Sequence, residues 1–159
     1  MSENLYDLLA SRLPKDRSAA CFLLSDGSAI SYGDLEAGAA HVAGRLVAEG
    51  VRPGDRVALQ AEKSAEAIMV YLGVLKSGAV FLPLNSAYTA AEVDYFLGDA
   101  EPKVFVTDPP AWVREAKASP PLAETAPRAA SDLASLIYTS GTTGRSKGCL
   151  LYTSPSPRD

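Results

Sequence analysis

Residues 132–148 read DLASLIYTSGTTGRSKG, and two textures meet inside them. Leu133 to Tyr138 is a short, mostly apolar run, the pattern of a strand covered on both faces, as parallel sheets require. Thr139 to Gly148 then crowds glycines among hydroxyls. A glycine-rich turn leaving a buried strand can aim several backbone N–H groups into one small space, and such a nest binds anions, phosphate above all. Gly141 and Gly144 allow close approach and unusual dihedrals. The hydroxyls of Thr139, Ser140, Thr142, Thr143 and Ser146 can donate to phosphate oxygens, Lys147 adds a mobile positive charge, and Arg145 can add a second. The pattern Gly, four residues, Gly-Lys-Ser/Thr does not fit, since Ser146 stands where that spacing from Gly141 needs a glycine. From composition alone, an ordinary surface loop competes with the phosphate clamp.

Upstream, the chain keeps a regular rhythm. RVALQ (56–60) is a strand after the turn RPGD, and SAEAIMVYLGVLKSG (64–78) is a helix capped by Ser64 and stopped at Gly78. AVFLPL (79–84) is a strand that Pro83 should end at Leu82. TAAEVDYFLGDA (89–100) is a helix capped by Thr89, and PKVFVTD (102–108) is another strand. Strand, helix, strand, helix, strand with short connections predicts an α/β fold, a parallel-rich sheet flanked by helices with right-handed crossovers. Earlier still, NLYDLLASRL (4–13) is a short helix with Leu5, Leu8, Leu9 and Leu13 at helical spacing. AACFLLSDGSAISYGDL (19–35) is a strand, an Asp26-Gly27 turn and a second strand. Ser31 then caps a helix whose apolar stripe is Leu35, Ala39, Val42 and Leu46, closed by Gly50. PPAWVREAKASPPLAETAPR (109–128) reads as one short helix around Trp112 to Lys117, then an exposed connector.

The bulk numbers narrow the function classes. The 159 residues are 47% hydrophobic, enough for a core of domain size, and 15 Lys and Arg against 19 Asp and Glu give a net charge of −4 without a basic cluster. A nucleic-acid partner is therefore not expected. The start lacks a basic segment followed by an apolar run, and no apolar stretch reaches membrane-spanning length, so neither a signal peptide nor a membrane partner is expected. Cys21 and Cys149 lie far apart without neighbours at ligand spacing, which excludes a zinc motif and fits a reduced, cytoplasmic protein. His41, off its helix's apolar stripe, reads as structural; Tyr32, Asp34, Lys63, Asn85 and Tyr88 read as capping, turn and packing residues.

YTSGTTGRSKG (138–148) resembles the phosphate-binding signature of the adenylate-forming superfamily, which includes acyl-CoA synthetases, adenylation domains of peptide synthetases and luciferases. SYGDL, GVRPGDRVAL, YLGVLKSGAVFLPLN and AEVDYFLGDAEPK follow the wording of that superfamily's N-terminal region, and PLNSAYTAAEVDYFLGDAEPKVFVTDP (83–109) looks most like malonyl-CoA synthetases. The resemblance covers nearly everything from Asn4 to Gly148. It implies the N-terminal portion of a large adenylate-forming domain, with MgATP and coenzyme A as co-substrates and a small carboxylate, malonate first, as the acid. It also implies that Thr139, Ser140, Gly141, Thr142, Thr143, Gly144 and Lys147 line the phosphates of ATP. Catalytic residues are expected in a C-terminal part that this chain does not reach. Another acyl-CoA synthetase, a peptide-synthetase adenylation domain and a freestanding nucleotide-binding module remain open, as does a structural domain with an idle loop.

After Gly148 the wording departs from the superfamily. CLLYTSPSPRD (149–159) back-translates, with one allowed codon set, into a sequence resembling a transposon-end adapter used in library preparation. Residues 1–148 are thus expected to be an incomplete AMP-binding domain, and residues 149–159 a non-native tail. Such a truncated chain is expected to be inactive by itself.

Overall fold

The structure, a computed structural model, describes residues 3–139 and 147–153. Helix α1 (Leu5–Ser11) is followed by a two-stranded antiparallel ribbon, β1 (Ala20–Leu23) and β2 (Ala29–Ser31). Then come α2 (Tyr32–Ala48), β3 (Arg56–Gln60), α3 (Ala65–Lys76), β4 (Val80–Leu84), α4 (Ala90–Ala100), β5 (Val104–Val106) and α5 (Pro109–Ala116). Strands β6 (Leu133–Thr139) and β7 (Lys147–Tyr152) close the described chain. The main sheet has the order β5-β3-β4-β6-β7; β5, β3, β4 and β6 run parallel, and β7 is antiparallel to β6.

The order explains which helix covers which face. From β3 to β4 the chain steps one way across the sheet, from β4 to β5 it steps back past β3, and from β5 to β6 it steps forward again. Right-handed crossovers made in opposite directions put their helices on opposite faces. Accordingly Val57, Leu59 and Val106 pack with residues of α2, α3 and α5, such as Val42, Val70, Val74 and Val113. The alternate residues Ala58, Leu82, Leu84 and Tyr138 pack with Val93, Phe96 and Ala100 of α4. One-residue alternation along each strand thus feeds two separate cores.

Local chemistry fixes the helix starts as the sequence implies. The Ser31 hydroxyl accepts from the Asp34 N–H while the Asp34 carboxylate accepts from the Ser31 N–H, a reciprocal cap that Thr89 and Glu92 repeat on α4. Bonds donated by the Ser31 hydroxyl and N–H hold the Asp34 carboxyl below its ordinary range, and those from the Thr89 N–H and hydroxyl do the same for Glu92. Ser64 accepts from the Ala67 N–H at the start of α3. Leu35, Ala39, Val42 and Leu46 are buried as the stripe predicts, and Gly50 and Gly78 take left-handed φ beyond their helices.

One expectation needs correction. Strand β4 runs through Pro83 to Leu84, paired with β3 along its whole length, rather than ending at Leu82. A proline lacks only its own N–H, and the β4–β6 ladder is registered at one pair, Phe81 with Ser135, so the sheet gives up little there. In α1 the buried side chain is Tyr6, while Leu8 is 50% exposed; the helix is docked by its start. Asn4 caps it and donates from Nδ2 to the carbonyls of Leu75 and Ala126.

The connector after α5 is exposed or half-exposed, as expected, and it is also pinned across the helices. Leu122 N–H donates to Ala40 O, Ala126 N–H to Lys76 O, and Lys76 Nζ to Ala123 O. The chain passes so close to α2 that a methyl on Gly44 would stand 1.9 Å from Pro120 O. No helix among the described residues is long and apolar enough to cross a membrane.

Two outcomes follow from this packing. G44A, which must push the connector off α2, should lower stability by about 1–3 kcal/mol. G98A, on α4 with open space around it, should raise stability by up to ~1 kcal/mol; urea unfolding of both variants checks the contrast. Burial also raises the phenol pKa values of Tyr6, Tyr71 and Tyr138. Folded phenols that resist ionisation contribute stability below the ordinary value of about 10 and lose it as the pH climbs above that. An absorbance titration at alkaline pH should therefore show Tyr6, Tyr71 and Tyr138 ionising late, with urea midpoints falling over the same range.

Candidate functional site

Because β3, β4, β5 and β6 are parallel, their following connections all leave one edge of the sheet, the edge where open α/β sheets place ligands. Gln60, the last residue of β3, donates from Nε2 to Asn85 O at 3.0 Å and so ties the β3 end to the β4–α4 connection. Within that connection the Asn85 side chain accepts from the Ala87 N–H, and the Tyr88 ring leans on Phe96 with centroids 4.9 Å apart. Asn85 and Tyr88 are thus occupied in turn formation and packing, and Asp34 in capping, as the sequence implies. His41 Nδ1 meets Ser119 O at 3.0 Å, a structural contact.

Of the residues expected to hold phosphate, the structure places two. Thr139 is the last residue of β6 and Lys147 the first of β7, and the two are directly paired across the antiparallel ladder. The Thr139 hydroxyl lies 3.5 Å from Lys147 O, the long end of hydrogen bonding, and both residues are exposed. Ser140, Gly141, Thr142, Thr143 and Gly144, with Arg145 and Ser146, lie outside the described residues. The ladder from Leu133–Tyr152 to Thr139–Lys147 brings both ends of the glycine-rich segment together at the ligand edge.

β7 is an edge strand, and all six of its residues are exposed, Leu150, Leu151 and Tyr152 among them. Its bonds to β6 are backbone bonds, which residues of many kinds supply, and the strand stops at Tyr152, before the proline-rich steps.

The sequence did not single out Tyr138, one residue before the glycine-rich segment. It is 7% exposed, its ring lies 4.5 Å from that of Phe96, and its hydroxyl donates to the Asp99 carboxylate near the end of α4. Burial raises its pKa most, and the bond to Asp99 adds to the rise. A tyrosine ending an otherwise aliphatic strand was the available signal, since a buried phenol needs a partner for its hydroxyl. Its partner stands 39 residues away and could not be named from spacing.

An apolar cavity of about 590 Å³ opens on the α3 face, lined by Phe22, Leu59, Ile68, Tyr71 and Phe81, with Lys63 and Ser64 beside them. Among the described residues no group of three or more His, Cys, Asp or Glu could hold a metal ion.

Residues 9–154 match the family described as AMP-binding enzyme. Among curated proteins, the chain is 34% identical to Novobiocin biosynthesis protein H of Streptomyces niveus, over 88% of this chain and 27% of that protein. It is 32% identical to Tyrocidine synthase 2 of Brevibacillus parabrevis, over 94% of this chain and 4% of that one. Among solved structures, ATP-bound MatB from Rhodopseudomonas palustris superposes with a TM-score of 0.85 at 41% identity, covering 96% of this chain and 35% of MatB. The chain therefore spans about a third of MatB's length and less of the two curated relatives. With the family pattern running through nearly all of the described fold, this chain belongs to the AMP-binding enzymes, the adenylate-forming family that holds both acyl-CoA ligases and peptide-synthetase adenylation domains.

Proposed function

We propose that the chain is the N-terminal part of an ATP-dependent acid–CoA ligase whose β6–β7 turn grips the phosphates of ATP. One observation carries this reading: at the ligand edge of a parallel sheet, Thr139 and Lys147 stand side by side at the two ends of a segment rich in glycine and hydroxyls. In the reaction, a carboxylate attacks the α-phosphorus of MgATP and expels pyrophosphate; the thiol of coenzyme A then displaces AMP from the acyl-adenylate, giving a thioester. Negative charge grows on the pyrophosphate as its bond breaks, so donors aimed there favour the transition state. Lys147 supplies positive charge, Thr139 with Ser140, Thr142 and Thr143 supplies hydroxyls, and Gly141 and Gly144 permit close backbone approach. None of them acts as a base, and an ionised carboxylate needs none to attack. Magnesium would enter as the counter-ion of ATP.

Malonate is the acid we favour. The support is the wording of residues 83–109, which resembles malonyl-CoA synthetases, together with the 41% identity to MatB. A second carboxylate on the substrate would call for a cationic partner, an arginine above all, in a segment outside this chain. The identities to Novobiocin biosynthesis protein H and Tyrocidine synthase 2 favour, as a second reading, an adenylation domain that selects an amino acid.

Calorimetric titration of the 159-residue chain with MgATP should show saturable binding that K147A weakens about tenfold, the loss expected for one charge-assisted contact. No saturable binding, or equal affinity in K147A, would overturn the assignment of the turn. The chain alone should support no malonate-dependent exchange between ATP and pyrophosphate, and measurable exchange would contradict the partial-enzyme reading.

A further inference from the structure

Tyr138 and Asp99 take no part in the chemistry above, yet they stand at the root of the candidate site. Tyr138 is paired with Gly148 and is followed by Thr139, which is paired with Lys147. Its ring is fixed between strand and helix: Phe96 lies 4.5 Å away, and Phe96 in turn touches Tyr88, from the connection that leaves β4 at the same edge. Its hydroxyl donates to Asp99, a residue whose surface is otherwise exposed on the last turn of α4. The β6–β7 ladder is an edge ladder, with no further strand outside β7 among the described residues, so it needs another restraint to hold its turn end in place.

We infer that Tyr138 and Asp99 are positioning residues, a latch that fixes the turn end of the β6–β7 hairpin, and with it Thr139 and Lys147, against the end of α4. The inference rests on the phosphate-gripping reading for its purpose but not for its test. Neither residue touches nucleotide in this account. The bond sets where the two donors stand, so that their place need not be found again each time a phosphate chain arrives. A hydrogen bond to a charged acceptor is strong enough for this task, and truncating either partner removes it. Y138F keeps the ring on Phe96 and removes only the hydroxyl. D99A removes the acceptor at an exposed position, whereas D99N keeps an acceptor oxygen.

The test is amide hydrogen exchange on the full 159-residue chain without nucleotide, followed by mass spectrometry. Y138F and D99A should each speed exchange about tenfold in peptides spanning 136–149, and the double variant should speed it no further, because both act through one bond. D99N should restore most of the protection. Peptides over β3 and α3 should be unchanged, and they separate a local effect from general loss of stability. Unchanged exchange near the hairpin in Y138F and D99A would overturn the inference, as would a D99N variant no better protected than D99A. If the variants show this pattern and the wild-type chain does not bind MgATP, the nucleotide reading is refuted and the latch stands.

Discussion

The structure depends on a sheet whose strands are apolar on both faces and which must be covered on both. That constraint selects the topology. A single run of crossovers in one direction would stack every helix on one side and leave Ala58, Leu82, Leu84 and Tyr138 bare; the step back from β4 to β5 sends α4 to the other face to cover them. The same reversal leaves the ends of β3, β4 and β6 adjacent along one edge, where their connections meet. A ligand edge is thus a consequence of covering two faces with one chain.

Most of this could be read in the sequence, because the deciding signals are local. Ser31, Ser64 and Thr89 mark helix starts through hydrogen bonds spanning three residues, and the stripe from Leu35 to Leu46 declares its buried side by period alone. Where the reading fell short, the deciding partner was distant. Pro83 looked like a strand end because its neighbours in the sheet were unknown, and β3 in fact pairs with it throughout. The spacing of the leucines in α1 showed a helix but not how it docks, since Asn4, bonded to Leu75 and Ala126, decides that. The exposure of the connector after α5 could be read, but not its pinning, because its anchors are carbonyls of Ala40 and Lys76, far back in the chain.

The candidate site divides the same way. Its proposed chemistry rests on a string, the glycines, hydroxyls and lysine of Thr139 to Gly148, which the family resemblance and not composition alone sets apart from an ordinary surface loop. Its support was not legible. Nothing near Tyr138 in sequence announces Asp99, and no spacing rule links the end of β6 to the last turn of α4. The pair meets only because α4 crosses the face that Tyr138 shares with Leu82 and Leu84.

The alternation of the strand explains why the anchor and the proposed phosphate grip can be neighbours without interfering. Successive residues of β6 point to opposite faces, so Tyr138 is drawn into the α4 core while Thr139 faces the side shared with Ser135 and Phe81. In β7 the partner positions follow suit: Gly148 lies opposite Tyr138, and Lys147 opposite Thr139. A side chain at Gly148 would press on Leu136, 3.0 Å from where its first carbon would stand, so the residue opposite the anchor is kept small. Moving the register of β7 by one residue would carry Lys147 to the α4 face and set a charge against the aromatic cluster. The contact of Tyr138 with Phe96 and Asp99 therefore ties β6 to α4, and the aromatic cluster it forms disfavours a register that would set the lysine there.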